Sequence, residues 1–234
     1  MTTVDMTFPV VARPDTVLDA DHAYALYGAL CRALESDSHD HGFVAGVLPV
    51  TGDFIGNRQL LVTQFSRMRL RLDHDHVPEF LKLAGHQIAV RGTQLRFGVP
   101  TIRPLEPLSR LYSRLVTIKG AIDAESLLIA TQTELERLDI DGMPRLVERQ
   151  NAVPLEAAHP DNSDAAHQEP SAESNEGDSP RDPFIRRTVR IRDKEVVGYA
   201  MMVEGLSATD SIRLQTHGLG GRRHFGCGVF VKAR

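Results

Sequence analysis

The sequence predicts an α+β fold of two consecutive β-α-β-β-α-β units, the ferredoxin-like arrangement, each an antiparallel sheet with helices on one face. Three observations predict it. Strand-like runs alternate with helical patterns, in an order that repeats after a proline-marked break at 104–107. The 234 residues suffice for two small cores. Those cores must be aliphatic, because the chain has no tryptophan and only 6% aromatic residues.

Residues 7–12 (TFPVVA) form a candidate first strand. Residues 21–35 put Ala23, Leu26, Tyr27, Leu30 and Leu34 at helical spacing, and Asp21 is a short polar acceptor able to cap that helix. Further strands are expected over 43–50, 60–64 and 68–72. A short helix over 77–84 stops at Gly85, and 87–99 reads as a hairpin turning at Arg91-Gly92. The second unit opens with a strand over 111–119. A helix over 123–138 follows, with Leu127, Leu128, Thr131, Leu135 and Leu138 on one side. A hairpin over 185–203 turns at Asp193-Lys194, and a helix over 207–217 is capped by Ser207. A glycine-rich loop at 218–228 and a strand at 229–233 close the chain. The expected domains are 1–105 and 106–234. The second is interrupted at about 148–183 by a segment rich in Pro, Ser, Asn, Asp and Glu. Its apolar surface is too small to offset the entropy of ordering, so it is expected to stay mobile.

Composition excludes several classes. No apolar run approaches the roughly 20 residues a membrane helix needs, and the N-terminus lacks the basic and apolar regions of a secretory signal. Cys31 and Cys227 are read as reduced thiols of a cytoplasmic protein. The net charge of −4 is unevenly spread. Residues 151–183 hold eight acids and one base, whereas from Ile185 onward ten Lys/Arg face four Asp/Glu. Local charge attracts a phosphate backbone, so the C-terminal part is the nucleic-acid candidate.

The loop reads GLGGRRHFGCG. Its glycines permit positive φ and close backbone approach, and consecutive N–H groups there can cup an anion. Arg222, Arg223 and His224 sit among them, and guanidinium forks match phosphate oxygens. Taken alone, a tight loop with solvated arginines is a competing reading. A dinucleotide fingerprint is excluded, because these glycines precede a strand and do not open a helix.

A tail of this form, closing a doubled ferredoxin-like chain, resembles the RAMP superfamily of CRISPR-associated proteins. It is most similar to the repeat-processing endoribonucleases of the MYXAN-type branch. DHAYALYGAL followed by a His-containing loop, LYSRLVTIKG and VEGLSATDSIRLQTHGLGGRRHFGCGVF carry the likeness. The resemblance implies a metal-independent enzyme without cofactors that cuts the repeat RNA of a precursor transcript. The ribose 2′-OH attacks the adjacent phosphate, leaving a 2′,3′-cyclic phosphate and a 5′-OH. It implies as partners a repeat RNA, often a hairpin, and other Cas proteins of a type I effector complex, with the enzyme a monomer or weak dimer. The alternative is a non-catalytic RNA-binding RAMP subunit of an effector complex.

That chemistry needs a proton-transfer group titrating near neutrality and donors for the phosphorane charge. The resemblance places the first on His39, in the loop after the first helix, with His41 as alternative and Tyr24 as the helix tyrosine. Tyr27 is expected to pack inward, and His22 reads as an exposed residue of the first turn. Some relatives carry a lysine soon after the histidine, but residues 42–56 contain none. Lys119, Arg58 or a loop arginine are the remaining cations. RNA contacts are expected from Arg114, Lys119, Arg186, Arg187, Arg190, Arg192, Gly220, Gly221, Arg222, Arg223 and His224. Strand alternation suggests that Arg186, Arg190 and Arg192 share a face. A four-imidazole zinc site from His39, His41, His74 and His76 is a minor reading, because no accompanying zinc motif exists.

Overall fold

The computed structural model describes residues 2–34, 44–149 and 182–233. The first half runs β1 (Thr3–Val11), β2 (Val17–Asp19), α1 (Ala23–Ala33), β3 (Val44–Leu48), β4 (Asp53–Gly56), β5 (Gln59–Leu61), β6 (Arg67–Asp73), α2 (Val77–Leu81), β7 (Gln87–Val90), β8 (Thr93–Phe97) and β9 (Thr101–Pro104). Its main sheet has the order β3-β6-β1, with β8 and β9 sharing the far side of β1 and β7 beyond β8. All pairings are antiparallel. This is the ferredoxin-like order, with α1 and α2 as its helices.

The second half repeats it: β10 (Arg110–Val116), α3 (Ala124–Arg137), β11 (Met143–Leu146), β12 (Arg186–Ile191), β13 (Lys194–Glu204), α4 (Ala208–His217) and β14 (Val231–Lys232). Here the order is β11-β13-β10-β14, and β12 continues the edge begun by β11 along the same neighbour, β13. The acidic segment therefore interrupts a single edge position, and its stem is closed by Arg149 N–H donating to Pro183 O at 2.9 Å. Residues 150–181 lie outside the described residues.

Each sheet buries one face under its helices. In the first half, Met6, Phe8, Met68, Leu70 and Leu72 pack with Leu26, Leu30 and Phe80. In the second, Leu111, Tyr199, Met201 and Val203 pack with Leu127, Leu135 and Leu214. The alternation in β6, RMRLRLD, shows why: Met68, Leu70 and Leu72 are buried, and the intervening arginines take the other face. No described helix is long and apolar enough to cross a membrane.

Several local expectations change. Asp21 does not cap α1; the N-cap position is His22, without a side-chain cap bond. Gln59–Leu61 joins a small separate sheet with β2 and β4. The last hairpin turns at Arg192-Asp193, where Arg192 has φ +55°. Arg91-Gly92, with φ +49° and +84°, forms the expected turn, and Asp123 and Ser207 cap α3 and α4 through their side chains.

Candidate nucleic-acid interface

The glycine-rich loop is a packed joint between the halves. Leu219, Cys227, Val229 and Phe230 are buried. Gly228 N–H donates to Leu115 O at 2.7 Å and Gly221 N–H to Thr117 O at 3.2 Å, tying the loop to the end of β10. At Gly220 and Gly228 φ is +68° and +63°, and a Cβ would overlap the carbonyl oxygens of Thr117 and Leu219 respectively. These glycines answer to close backbone packing. The expected open anion nest is thereby corrected: only Gly221, Arg222 and Arg223 at the apex are exposed.

The loop's 3₁₀ turn, Arg223–Phe225, rests on α1. Phe225 lies 5.4 Å from the Tyr24 ring and 5.6 Å from Tyr27, and His224 lies 4.9 Å from Tyr27. Tyr27 is core, as its helical position predicts. His224 is half-buried in this aromatic cluster, not free in solvent. Tyr24 Oη accepts a hydrogen bond from Arg192 Nε at 3.4 Å. Arg192 belongs to the turn, so it leaves the face expected from strand alternation and reaches α1 instead. Asp21 also crosses between halves: it accepts the Arg190 N–H at 3.0 Å and lies 3.7 Å from Arg58.

His22 is wholly buried, contrary to its reading as an exposed residue. Its Nε2 accepts the Val50 N–H at 2.9 Å, and its Nδ1 lies 2.7 Å from Asp19 O. An acceptor on one ring nitrogen and a donor on the other define a neutral imidazole. Burial pushes its pKa down to about 4, assisted by Arg114 and opposed by the Asp19 hydrogen bond. The ring thus pins the start of α1 to the end of β3.

The cations divide between two faces of the second sheet. Arg187 pairs with Gly198 and Tyr112 with Met202, on the face away from the helices. Arg114 lies in the irregular stretch of β10 between Ser113 and Val116, with Arg187 the strongest charged influence on it. Burial and that neighbour push its pKa down. Arg186 pairs with Tyr199 on the opposite face, and it and Arg190 are exposed. Lys119 is exposed just past β10. Cys227, buried beneath the loop, has its thiol pushed up to about 11 by burial, with Arg222 and Arg114 acting against that.

Sequence reasoning missed Arg71. It is 1% exposed, forms a two-pronged pair with Asp5 at 2.8 and 3.0 Å, and donates to Gln215 O and Phe230 O at 2.9 and 2.6 Å. One guanidinium therefore joins the two halves. The alternating arginines of β6 indicated a common face, but nothing local identifies acceptors some 150 positions away.

His39 and His41 lie outside the described residues, between Leu34 at the end of α1 and Val44. His74 is exposed and His76 half-buried, beside Asp75 and Glu79 at 3.9 and 3.7 Å. Among the described residues, no three His, Cys, Asp or Glu side chains converge as a metal site.

A family model described as Cas6 CRISPR matches residues 4–234. The CRISPR-associated endonuclease Cas6 of Myxococcus xanthus strain DK1622 is 33% identical over 231 residues, covering 99% of this chain and 82% of that protein. Among solved structures, a CRISPR-associated protein Cas6 superposes with a TM-score of 0.62 at 10% identity, covering 99% of this chain and 100% of the other. A RAMP protein binding different RNA substrates gives 0.58 at 8% identity, with 98% of each chain covered. The product of a Cas6-related gene from Pyrococcus furiosus gives 0.56 at 12%, again with 98% of each covered. At such identities the solved structures speak to the fold, which is the same tandem ferredoxin-like one. The family match along nearly the whole chain, with the 33% identical relative, carries the assignment: this chain belongs to the Cas6 family of CRISPR-associated proteins.

Proposed function

We propose that this protein is a metal-independent endoribonuclease that cuts the repeat RNA of CRISPR precursor transcripts. The observation that carries the reading is the 33% identity to a CRISPR-associated endonuclease across 99% of the chain. In the proposed reaction the 2′-oxygen gives up its proton and attacks the adjacent phosphorus. The bond from phosphorus to the 5′-oxygen breaks, and that oxygen gains a proton. A 2′,3′-cyclic phosphate and a 5′-OH result, with no water consumed.

His39 is the proposed proton-transfer group and His41 the alternative; both belong to the segment joining α1 to β3. Tyr24, held by Arg192, is the proposed supporting group from α1. Arg114, Lys119, Arg186, Arg187, Arg190, Arg192, Gly220, Gly221, Arg222, Arg223 and His224 are the proposed RNA contacts. The exposed apex of the loop suits backbone contact, whereas Gly220 serves by letting β10 approach. We further propose domains 1–105 and 106–234. A repeat hairpin is the proposed substrate, and other Cas proteins of an effector complex the later partners.

The test is incubation of the full chain with a CRISPR repeat RNA from the same genome, in excess EDTA. The expected product carries a cyclic phosphate. His39→Ala is expected to keep RNA affinity and lose most cutting. Undiminished cutting by His39→Ala removes that role and passes it to His41→Ala for the same measurement. Tight binding with no product in any buffer would make the chain a binding subunit.

A further inference from the structure

Three hairpin turns each put an arginine at positive φ and lean it on the start of α1. In the β4–β5 turn, Asn57 and Arg58 have φ +47° and +57°. Such a turn favours Asn-Gly, so Arg58 occupies a position that glycine fills without strain. Its guanidinium lies 3.7 Å from Asp21, and its carbonyl accepts the Ala20 N–H at 2.7 Å. The same Asp21 oxygen accepts the Arg190 N–H, which seats this hairpin of the first half against β12 of the second. Arg192, at the β12–β13 turn, reaches Tyr24, and Arg91, at the β7–β8 turn, pairs with Asp19 at 3.0 Å. The Arg58 side chain is 64% exposed, and a surface pair at 3.7 Å leaves most of its five donors to solvent.

The hairpin that carries Arg58 also exposes Phe54 and Ile55. Phe54 pairs with Leu60, and Leu60 with Leu18. Directly paired residues share a face of the sheet. The row therefore runs from buried Leu18 through half-buried Leu60 to Phe54, which is 56% exposed. The register shifts between Phe54 and Gly56, a bulge of the kind that re-aims a side chain. Every other described phenylalanine and tyrosine is buried or half-buried. Two apolar side chains fall far short of the roughly 20–30 residues a side of a stable protein interface. An open ring beside a free guanidinium suits a nucleotide instead, because every base has a π-face to stack and a phosphate to pair. From Phe54 to the turn is about 7–10 Å at the strand rise, a span that one nucleotide covers.

We propose that the β4–β5 hairpin is a stacking site for one unpaired nucleotide of the RNA, with the base on the Phe54 ring and the neighbouring phosphate on Arg58. The inference rests on the RNA-binding reading above and deepens it by adding a base contact from the first half to the contacts on the second. Unpaired bases are the ones free to lie on an aromatic ring.

The chain has no tryptophan, so Phe54→Trp places a single fluorescent reporter at the site. Its emission is expected to fall as repeat RNA saturates the protein, and to fall with an unstructured RNA strand as well. Phe54→Ala is expected to weaken repeat-RNA binding about 10-fold while leaving its salt dependence unchanged, because no charge is lost. Arg58→Gln is expected to lower the slope of log K against log salt by about 0.7, the contribution of one phosphate on a single strand. Unchanged emission in a saturated complex overturns the proposal, and the reporter decides even if Phe54→Ala is less stable. Full RNA affinity in Phe54→Ala also overturns it, and leaves the exposed ring to a protein partner. Quenching by a fully paired duplex but not by an unstructured strand overturns the choice of an unpaired base. If the wild-type chain binds no repeat RNA, the RNA-binding reading itself has failed, and the wild-type titration reports that separately.

Discussion

Lowering the pH from 7.5 to 4 is expected to unfold this protein partly through one residue, His22. In the folded chain it is buried and held neutral by Val50 N–H and Asp19 O, with its pKa at about 4. Unfolded, it returns to 6.5. Because the folded value is the lower one, the unfolded chain takes up the proton first. Stability from the neutral ring is complete above pH 6.5 and falls as the pH approaches 4. At about 1.4 kcal/mol per pH unit in that window, the loss reaches about 2 kcal/mol at pH 5 and about 3 kcal/mol at pH 4. Arg114 and Arg91 add to the depression and Asp19 opposes it, so salt should have little effect on a ring this enclosed. The assay is urea denaturation of wild type and His22→Gln at pH 7.5, 5 and 4. Gln does not titrate, and every other titrating group cancels in the comparison. The difference between the two proteins should shrink by those amounts as the pH falls. Parallel stability curves would refute the reasoning and show that His22 charges freely in the folded state.

Other outcomes follow from the same packing. Arg71→Met should cost about 3 kcal/mol in urea denaturation, because it leaves the half-buried Asp5 with only the longer Arg69 contact at 3.6 Å and strands two carbonyls across the joint. Gly228→Ala should cost about 3 kcal/mol or more, since the new Cβ meets the Leu219 carbonyl at a positive φ; an effect below 1 kcal/mol, as melting would reveal, means the loop has room to shift. Ser207→Ala should cost about 1 kcal/mol by removing the acceptor for the Asp210 N–H, read as a lower urea midpoint. Cys227 should react with a thiol reagent at pH 8 only as fast as the chain opens, being buried with its pKa near 11; rapid labelling of the native protein would contradict its placement.

Much of the fold was legible because local rules agree with the tertiary outcome. The alternation of RMRLRLD puts three arginines on one face and three apolar residues in the core. Ser207 caps its helix as its position suggests, and Arg91-Gly92 turns a hairpin. Asp21 shows where such rules stop: a residue suited to an N-cap is taken up instead by Arg190 and Arg58. A cap offers one local hydrogen bond, whereas a charge placed between the two halves meets donors from both.

By itself, the sequence determined two βαββαβ units, the acidic interruption, the basic C-terminal part and the glycine loop that ties the chain to its family. Each depends on spacing or composition within a few residues. Only the tertiary structure decided that the loop is a joint more than a nest, that Arg192 reaches Tyr24, and that Arg71 and His22 hold the halves and the first helix in place. Those contacts join positions far apart in the chain, and their strength comes from burial, which no local pattern of residues encodes.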